Sequence, residues 1–364
     1  MSVVPLSSSR VHALLAEARS RTDEVIAALL ERVDPEAADV LAYQWGWRGT
    51  RDGAFAEGGR GKALRAALVF AAARATRGGP GAEDDPLVLA GAAAVEMLHT
   101  LSLLHDDVMD GDALRRGRPT AWRVFGADAV GSAVRALSPH ALELVFRDTL
   151  ESSGLPGSRS PQLGEAARAT GLLGDALVRL AQGQALDLAL EEEVRCDVGT
   201  ILRVHADKTG SLFACACALG AASEATGDLA VFGEHLGIAF QIVDDVLGLW
   251  GDPAVTGKPA GADLTVRKKS YPVAVALSVD GTRTDIAGTI RLRELYAIPE
   301  PWTPEQTREV RRLLDGSGAR AVSEAAAREH ERRALDALAR SCPPSRETGD
   351  DLRALAAFVT RRVH

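Results

Sequence analysis

Cysteine is scarce in this 364-residue chain, and the four present, Cys196, Cys215, Cys217 and Cys342, have no metal-ligand spacing. A zinc cage or a disulfide framework is therefore not expected, and Cys215 and Cys217, two apart in an apolar helical run, read as small core residues. Reduced thiols of this kind fit a cytoplasmic protein. Excess positive charge is also lacking: the formal net charge is −8, which disfavours nucleic acid or an anionic membrane surface as partner. No uninterrupted apolar run reaches 18 residues, and Met1 to Ser9 show no charged-then-apolar pattern, so a soluble protein without stable membrane insertion is expected. Solenoid repeats and long linkers are missing too, and one domain over 1–364 is the economical reading.

What the chain has in abundance is helix. Alanine-rich stretches such as Ala71-Ala72-Ala73 and Ala92-Ala93-Ala94, with few β-branched alternations, favour an all-α fold nearly throughout. Turn formers interrupt it at Gly58 to Gly61, Arg77 to Gly81, Ser152 to Pro161, Gly251 to Ser270, Ile298 to Pro304 and Ser341 to Gly349. Thr303, Pro304 and Gln306 supply an N-cap, a proline at the first helical position and a capping-box glutamine, so a helix should begin there. The segment from Pro86 to Asp112 is apolar on most sides, as a buried helix is, and its exceptions Glu96, His99 and His105 should face a cavity or satisfied partners.

That helix ends in His105-Asp106-Asp107-Val108-Met109-Asp110-Gly111. Asp106 and Asp110 stack one turn apart with Asp107 beside them, and carboxylates that close repel unless a cation sits among them. Oxygen donors without a cysteine or histidine cage suit Mg²⁺ that keeps some waters and takes further ligands from a phosphate. A second pair, Asp244-Asp245, again ends an apolar run and is followed by basic residues.

With two such clusters in order, the chain resembles the trans-isoprenyl diphosphate synthases. The landmarks are GKALR (Gly61 to Arg65), EMLHTLSLLHDDVMD (Glu96 to Asp110), LRRGRPT (Leu114 to Thr120), GQALD (Gly183 to Asp187), DKTGSLF (Asp207 to Phe213), FQIVDD (Phe240 to Asp245), GDPAVTGKP (Gly251 to Pro259) and KKSYP (Lys268 to Pro272). The resemblance covers about residues 59–272, with C-terminal helices expected over 273–364. It implies a single-domain isoprenoid synthase class I helical bundle around a central apolar cavity, and a cytoplasmic homodimer. The implied reaction is the Mg²⁺-dependent condensation of isopentenyl diphosphate with an allylic diphosphate (dimethylallyl, geranyl or farnesyl) through an allylic carbocation.

Asp106, Asp110 and Asp244 are then the candidates for direct Mg²⁺ ligands, with Asp107, Asp245 and Asp252 as weaker ligands or supporting groups. Arg115, Lys208, Lys258 and Lys268 would neutralise the allylic diphosphate, and in the family Thr209 and Gln241 belong to the same site. By resemblance Lys62, Arg65, His99 and Arg116 bind isopentenyl diphosphate, through bidentate guanidinium contacts where arginine is used.

Three departures from the family pattern stand out. Gly248 occupies the place of a further aspartate in the second motif, which would loosen one metal unless Asp252 compensates. Ala66 replaces a proline. The segment Ala133 to Pro139 puts an arginine and a helix-breaking proline where a regular apolar helix is usual, which would distort the cavity wall or the dimer face. Ser102, Leu101 and Leu98, placed four, five and eight residues before Asp106, should meet the growing chain. The small Ser102 favours geranylgeranyl diphosphate, C20, with Leu101, Leu98 or the altered segment as floor. The alternatives are a class I terpene cyclase, which needs no isopentenyl site, and a non-catalytic homologue.

Overall fold

A computed structural model describes residues 8–49, 61–153, 161–193, 196–252, 261–278, 286–342 and 347–361. Helix dominates throughout. The first helices are α1 (Ser8–Leu30), α2 (Pro35–Gln44), α3 (Leu64–Thr76) and α4 (Pro86–Met109). A two-residue hairpin follows, β1 (Leu114–Arg115) with β2 (Arg118–Pro119), and then α5 (Ala121–Phe125), α6 (Ala127–Ser153) and α7 (Pro161–Glu192). Next come α8 (Val198–His205), a π-helical turn over Ala206–Gly210, α9 (Ser211–Gly220) and α10 (Thr226–Trp250). The remainder is α11 (Ala262–Thr265), α12 (Tyr271–Leu277), α13 (Ile286–Tyr296), α14 (Pro304–Gly316), α15 (Ala319–Ser341) and α16 (Asp350–Thr360).

Two compact units emerge from the contacts, neither of them a continuous stretch of chain. The first comprises Met1–Val178, Leu212–Val231 and Ala337–Leu355; the second comprises Arg179–Ser211, Phe232–Asp336 and Ala356–His364.

In the first unit α4 packs against α1, α3 and α6. Val88, Val95, Met97, Leu98 and Leu104 of α4 are at most 1% exposed, each worth roughly 1.5–3 kcal/mol of burial. By length and composition alone this helix would pass for a membrane span; its burial against neighbouring helices accounts for its apolar character. Asp85 caps it, accepting from the Leu87 amide at 2.8 Å, and Gly111 at φ +67° turns the chain away at the other end.

The Ala133 to Pro139 segment does not break the fold as its composition suggests. Helix α6 continues through Pro139. Ala133, Leu137 and Ala141, four residues apart, are completely buried on one face, whereas Arg135 and Pro139 are exposed. The proline removes one ladder hydrogen bond, that to the Arg135 carbonyl, on the solvent side. One residue earlier, the Ser138 hydroxyl donates to the Val134 carbonyl at 2.7 Å.

The second unit has its own core, in which Ile242 and Leu249 of α10, Tyr271 to Leu277 of α12, and Leu292 and Leu295 of α13 come together. Helix α14 opens at the expected place. Thr303 Oγ1 accepts from the Gln306 amide at 3.2 Å while Gln306 Oε1 accepts from the Thr303 amide at 2.8 Å. All four cysteines are buried free thiols, and burial pushes Cys196 and Cys215 up to about 12, so both are inert and protonated at neutral pH.

Because Leu137 is completely buried and Pro139 is exposed, their replacements should act in opposite directions. In equilibrium urea unfolding, Leu137→Ala is expected to lower stability by about 3 kcal/mol. Pro139→Ala is expected to raise it by roughly 2 kcal/mol. A destabilising Pro139→Ala would mean that the proline is a required part of the helix.

Candidate active site

In the first unit the chemistry gathers at the C-terminal end of α4. Asp106 is half-buried and Asp110 exposed, one turn apart, with Asp110 as the C-cap. Asp107 points the other way and is 1% exposed. It accepts from Arg115 Nε at 2.6 Å, and its Oδ2 has no hydrogen-bond partner. Burial raises the Asp107 pKa, against the pull of Arg115.

Arg115 is placed by the hairpin, in which Leu114 pairs with Pro119 and Arg115 with Arg118. Its two-residue loop is Arg116-Gly117, both at positive φ (53° and 75°), the geometry of the tight primed turns. An arginine there is mildly strained, about 1 kcal/mol. Its side chain thereby lines a cleft together with Arg115, His99, Glu96 and Trp45. The cleft thus groups Arg115 with Arg116, where the resemblance had assigned the two to different substrates.

Beneath them lies Arg65 of α3, half-buried, its guanidinium 5.1 Å from the Phe213 ring centroid. Burial, partly offset by Glu96, lowers Arg65 to about 10, still cationic at pH 7. Burial and then Arg65, Arg116 and Arg115 hold His99 well below the usual histidine range, so its ring is neutral. His99 Nδ1 and Arg65 Nε are buried without a hydrogen-bond partner. Groups of this kind want an acceptor, and an anion in the cleft would supply one. Lys62 is exposed and is not among the residues lining the cleft.

Glu96 was a polar exception with no assigned role. Its Oε1 accepts from the Ala66 amide at 3.1 Å in the first turn of α3, a carboxylate at a helix N-terminus. A proline at position 66 has no amide hydrogen to give, so the Ala66 departure adds a bond that ties α3 to α4. His105 is exposed.

In the second unit Asp245 of α10 is 1% exposed and surrounded by donors. His205 Nε2 lies 3.0 Å and the Tyr271 amide 2.9 Å from Oδ2; Lys268 Nζ lies 3.2 Å and Gln241 Nε2 3.4 Å from Oδ1. Burial alone would raise its pKa, but Lys268 and His205 hold it well below the carboxylate range, and Asp245 in turn pushes Lys268 up. Asp244, its neighbour, is half-buried, and Asp252 is exposed. Lys208 and Thr209 lie on the π-turn: Lys208 Nζ reaches Asp187 Oδ2 at 2.6 Å, and Thr209 Oγ1 donates to Gln241 Oε1 at 3.1 Å. Lys258 falls outside the described residues.

Gly248, the missing aspartate, has a steric explanation. A Cβ there would fall 2.2 Å from Asp263 Oδ2 of α11 and 2.7 Å from its Cγ. The space an aspartate side chain would need already holds a carboxylate, that of Asp263 and not of Asp252. His205, the π-turn and Asp263 were not singled out from the sequence. The tight turn in Leu114 to Pro119 left a signal in its Arg-Gly pair.

Among the described residues no three aspartate, glutamate, histidine or cysteine side chains converge as a metal cage. Oxygen donors one turn apart at an open helix end still fit a hard divalent cation that completes its shell from water and a bound phosphate.

The profile of the polyprenyl synthetase family matches residues 56–309. A geranylgeranyl diphosphate synthase of Mycobacterium tuberculosis is 38% identical over 355 residues, 96% of this chain and 93% of the relative. A (2E,6E)-farnesyl diphosphate synthase of the same organism is 34% identical over 345 residues, 92% and 88% of the two chains. Among solved structures, a polyprenyl synthetase from Streptomyces coelicolor superposes with a TM-score of 0.82 at 36% identity, covering 96% of this chain and 99% of that one. A geranylgeranyl pyrophosphate synthase from Corynebacterium glutamicum, complexed with isoprenyl diphosphate and magnesium, gives 0.73 at 25% identity, covering 97% and 99%.

With Asp245 satisfied on all sides and Asp244 half-buried, truncating the two should separate structure from surface chemistry. Asp245→Ala is expected to lower stability by about 3 kcal/mol, and Asp244→Ala by less than about 1 kcal/mol. The folded-state pKa of Asp245 is depressed, so its contribution is complete above the unfolded value of about 3.9 and is lost as pH falls below it. The gap between wild type and Asp245→Ala, followed by chemical denaturation against pH, should therefore shrink below about pH 4.

Proposed function

The chain belongs to the polyprenyl synthetase family and is an all-α trans-prenyltransferase making a short-chain product, and on that premise we propose that the product is geranylgeranyl diphosphate. The observation that carries the site reading is the cleft beside α4, lined by Arg115, Arg116 and a neutral histidine with an unpartnered buried nitrogen, with Arg65 close enough to act on that histidine. A diphosphate is the anion that such an array is built to hold. We assign isopentenyl diphosphate to it, gripped by Arg65, Arg116 and His99, with Lys62 at its margin and Arg115 shared between Asp107 and the ligand.

The allylic diphosphate falls to Lys208, Thr209, Gln241, Lys258 and Lys268. Asp106, Asp110 and Asp244 are the proposed Mg²⁺ ligands, while Asp107 and Asp245, each buried among protein donors, orient their neighbours. Magnesium bound there would offset charge on the leaving diphosphate. The basic side chains hold that diphosphate as the allylic C–O bond breaks, and a water-free apolar wall protects the cation. The isopentenyl double bond then forms the new C–C bond, and the proton lost from the isopentenyl unit passes to the departed diphosphate. The magnesium complex of the Corynebacterium relative and the oxygen-only donor set support Mg²⁺. Four buried reduced thiols support a cytoplasmic site of action, and the homodimer rests on the family resemblance.

Product length follows from the face of α4 that leads away from the aspartates. Ser102 is half-buried with its hydroxyl turned back to the His99 carbonyl at 2.8 Å, and Leu101 and Leu98 are buried at 5% and 1%. A small residue followed by a leucine lets a C15 tail pass and stops a longer one.

Steady-state kinetics should separate the two diphosphates. Arg116→Ala is expected to raise KM for isopentenyl diphosphate roughly tenfold or more, and Lys208→Ala chiefly to lower kcat/KM for the allylic substrate. Equal effects of both changes on both substrates would remove the assignment. Chromatography of the products should show Leu101→Phe shortening the chain by one isoprene unit and Leu101→Ala lengthening it. An unchanged product from both variants would place the floor elsewhere.

A further inference from the structure

Helix α7 turns one stripe toward the π-turn. Arg179, Gly183 and Asp187 are spaced by four residues and share one helix face. Each meets the turn differently. Arg179 donates through Nε to Asp207 Oδ1 at 2.9 Å, through Nη2 to the Ala206 carbonyl at 3.2 Å, and through Nη1 to Glu234 Oε2 of α10 at 2.7 Å. Gly183 admits the backbone itself, since a Cβ there would lie 2.7 Å from the Lys208 amide nitrogen and 2.9 Å from Asp207 Cβ. Asp187 takes the Lys208 ammonium at 2.6 Å. From α10, Gly237 makes the same kind of approach, with a Cβ position 2.7 Å from Gly210 Cα.

A π-turn carries one residue more than the α-helix it interrupts and breaks the regular ladder of hydrogen bonds. Left alone, such a segment relaxes to α-helix, and losing one residue of register turns the following side chains by about 100° about the axis. Lys208 and Thr209 would then no longer hold their present directions. Arg179 opposes that relaxation by fixing a carbonyl and a carboxylate of the turn and a carboxylate of the neighbouring helix with one planar group, a geometry lysine does not have.

We propose that Arg179 is a positioning residue for prenyl transfer, a clamp that keeps the π-turn in register so that Lys208 and Thr209 face the substrate. The proposal rests on the reading of those two residues as allylic diphosphate contacts. Arg179 acts through Asp207, Ala206 and Glu234 and has no part in the chemistry itself.

The test uses the full chain and four variants: Arg179→Met, Arg179→Lys, Lys208→Ala and the double variant Arg179→Met/Lys208→Ala. Amide hydrogen exchange over residues 204–212 reports the turn directly and needs no substrate. Faster exchange there in Arg179→Met is expected, together with a fall of roughly tenfold or more in kcat/KM for the allylic diphosphate and an unchanged KM for isopentenyl diphosphate. Arg179→Lys should behave like Arg179→Met, and it carries the comparison should the methionine variant not fold. In the Lys208→Ala background the kinetic effect of Arg179→Met should largely vanish, because both act through one group. Wild-type exchange and kinetics in the Arg179 variants would overturn the proposal. So would a full, additive loss in the Lys208→Ala background, or a lowered melting temperature with unchanged kinetics. Wild-type kinetics from Lys208→Ala with faster exchange in Arg179→Met would overturn the diphosphate reading of Lys208 and leave the clamp standing.

Discussion

Two carboxylates side by side on a helix cannot both be buried as bare charges, and each aspartate pair divides the task in the same way. Asp107 and Asp245 go inward, 1% exposed, and meet donors held for them: Arg115 from the hairpin, and Lys268 and His205 around α10. Asp106 and Asp244 stay half-buried beside them. The inward member fixes the helix end by interactions that water does not screen. The outward member keeps a carboxylate at a defined place without bearing the desolvation cost of burial. The same logic governs the cationic cleft, where three guanidiniums come together because Glu96 sits among them and His99 stays neutral.

The departures from the family pattern resolve as local exchanges. Gly248 gives up a carboxylate where Asp263 already holds one. Ala66 gives up the rigidity of proline and gains an amide bond to Glu96. Arg135 and Pro139 change only the exposed side of α6, leaving the buried Ala133 and Leu137 in place. None of the three removes a group from the chemistry assigned to the site, which argues for an active enzyme over a non-catalytic homologue.

How much of this the sequence carries depends on the range of the interaction. The aspartate clusters, the burial of α4 and the capping box at Thr303 are written in spacings of three or four residues, and they are legible. Glu96 capping α3, His205 on Asp245 and Asp263 beside Gly248 join residues 30, 40 and 15 positions apart, and no local pattern announces them. The π-turn is a backbone event for which glycines on two other helices make room, so its signal lies outside Ala206 to Gly210. Pro139 shows the opposite error, a strong local signal overruled by the packing of the helix that contains it.

The division of labour within the first aspartate cluster is the claim on which the mechanism turns, and metal binding measures it most directly. Isothermal titration of Mg²⁺ into the full-length protein, with a non-reactive allylic diphosphate analogue present, compares wild type with Asp106→Asn, Asp110→Asn and Asp107→Asn. The expected result is a loss of metal-dependent analogue binding in the first two that exceeds the loss in Asp107→Asn, whose change appears mainly as a lower melting temperature. Abolished metal binding in Asp107→Asn, with Asp110→Asn and Asp106→Asn behaving as wild type, would contradict it.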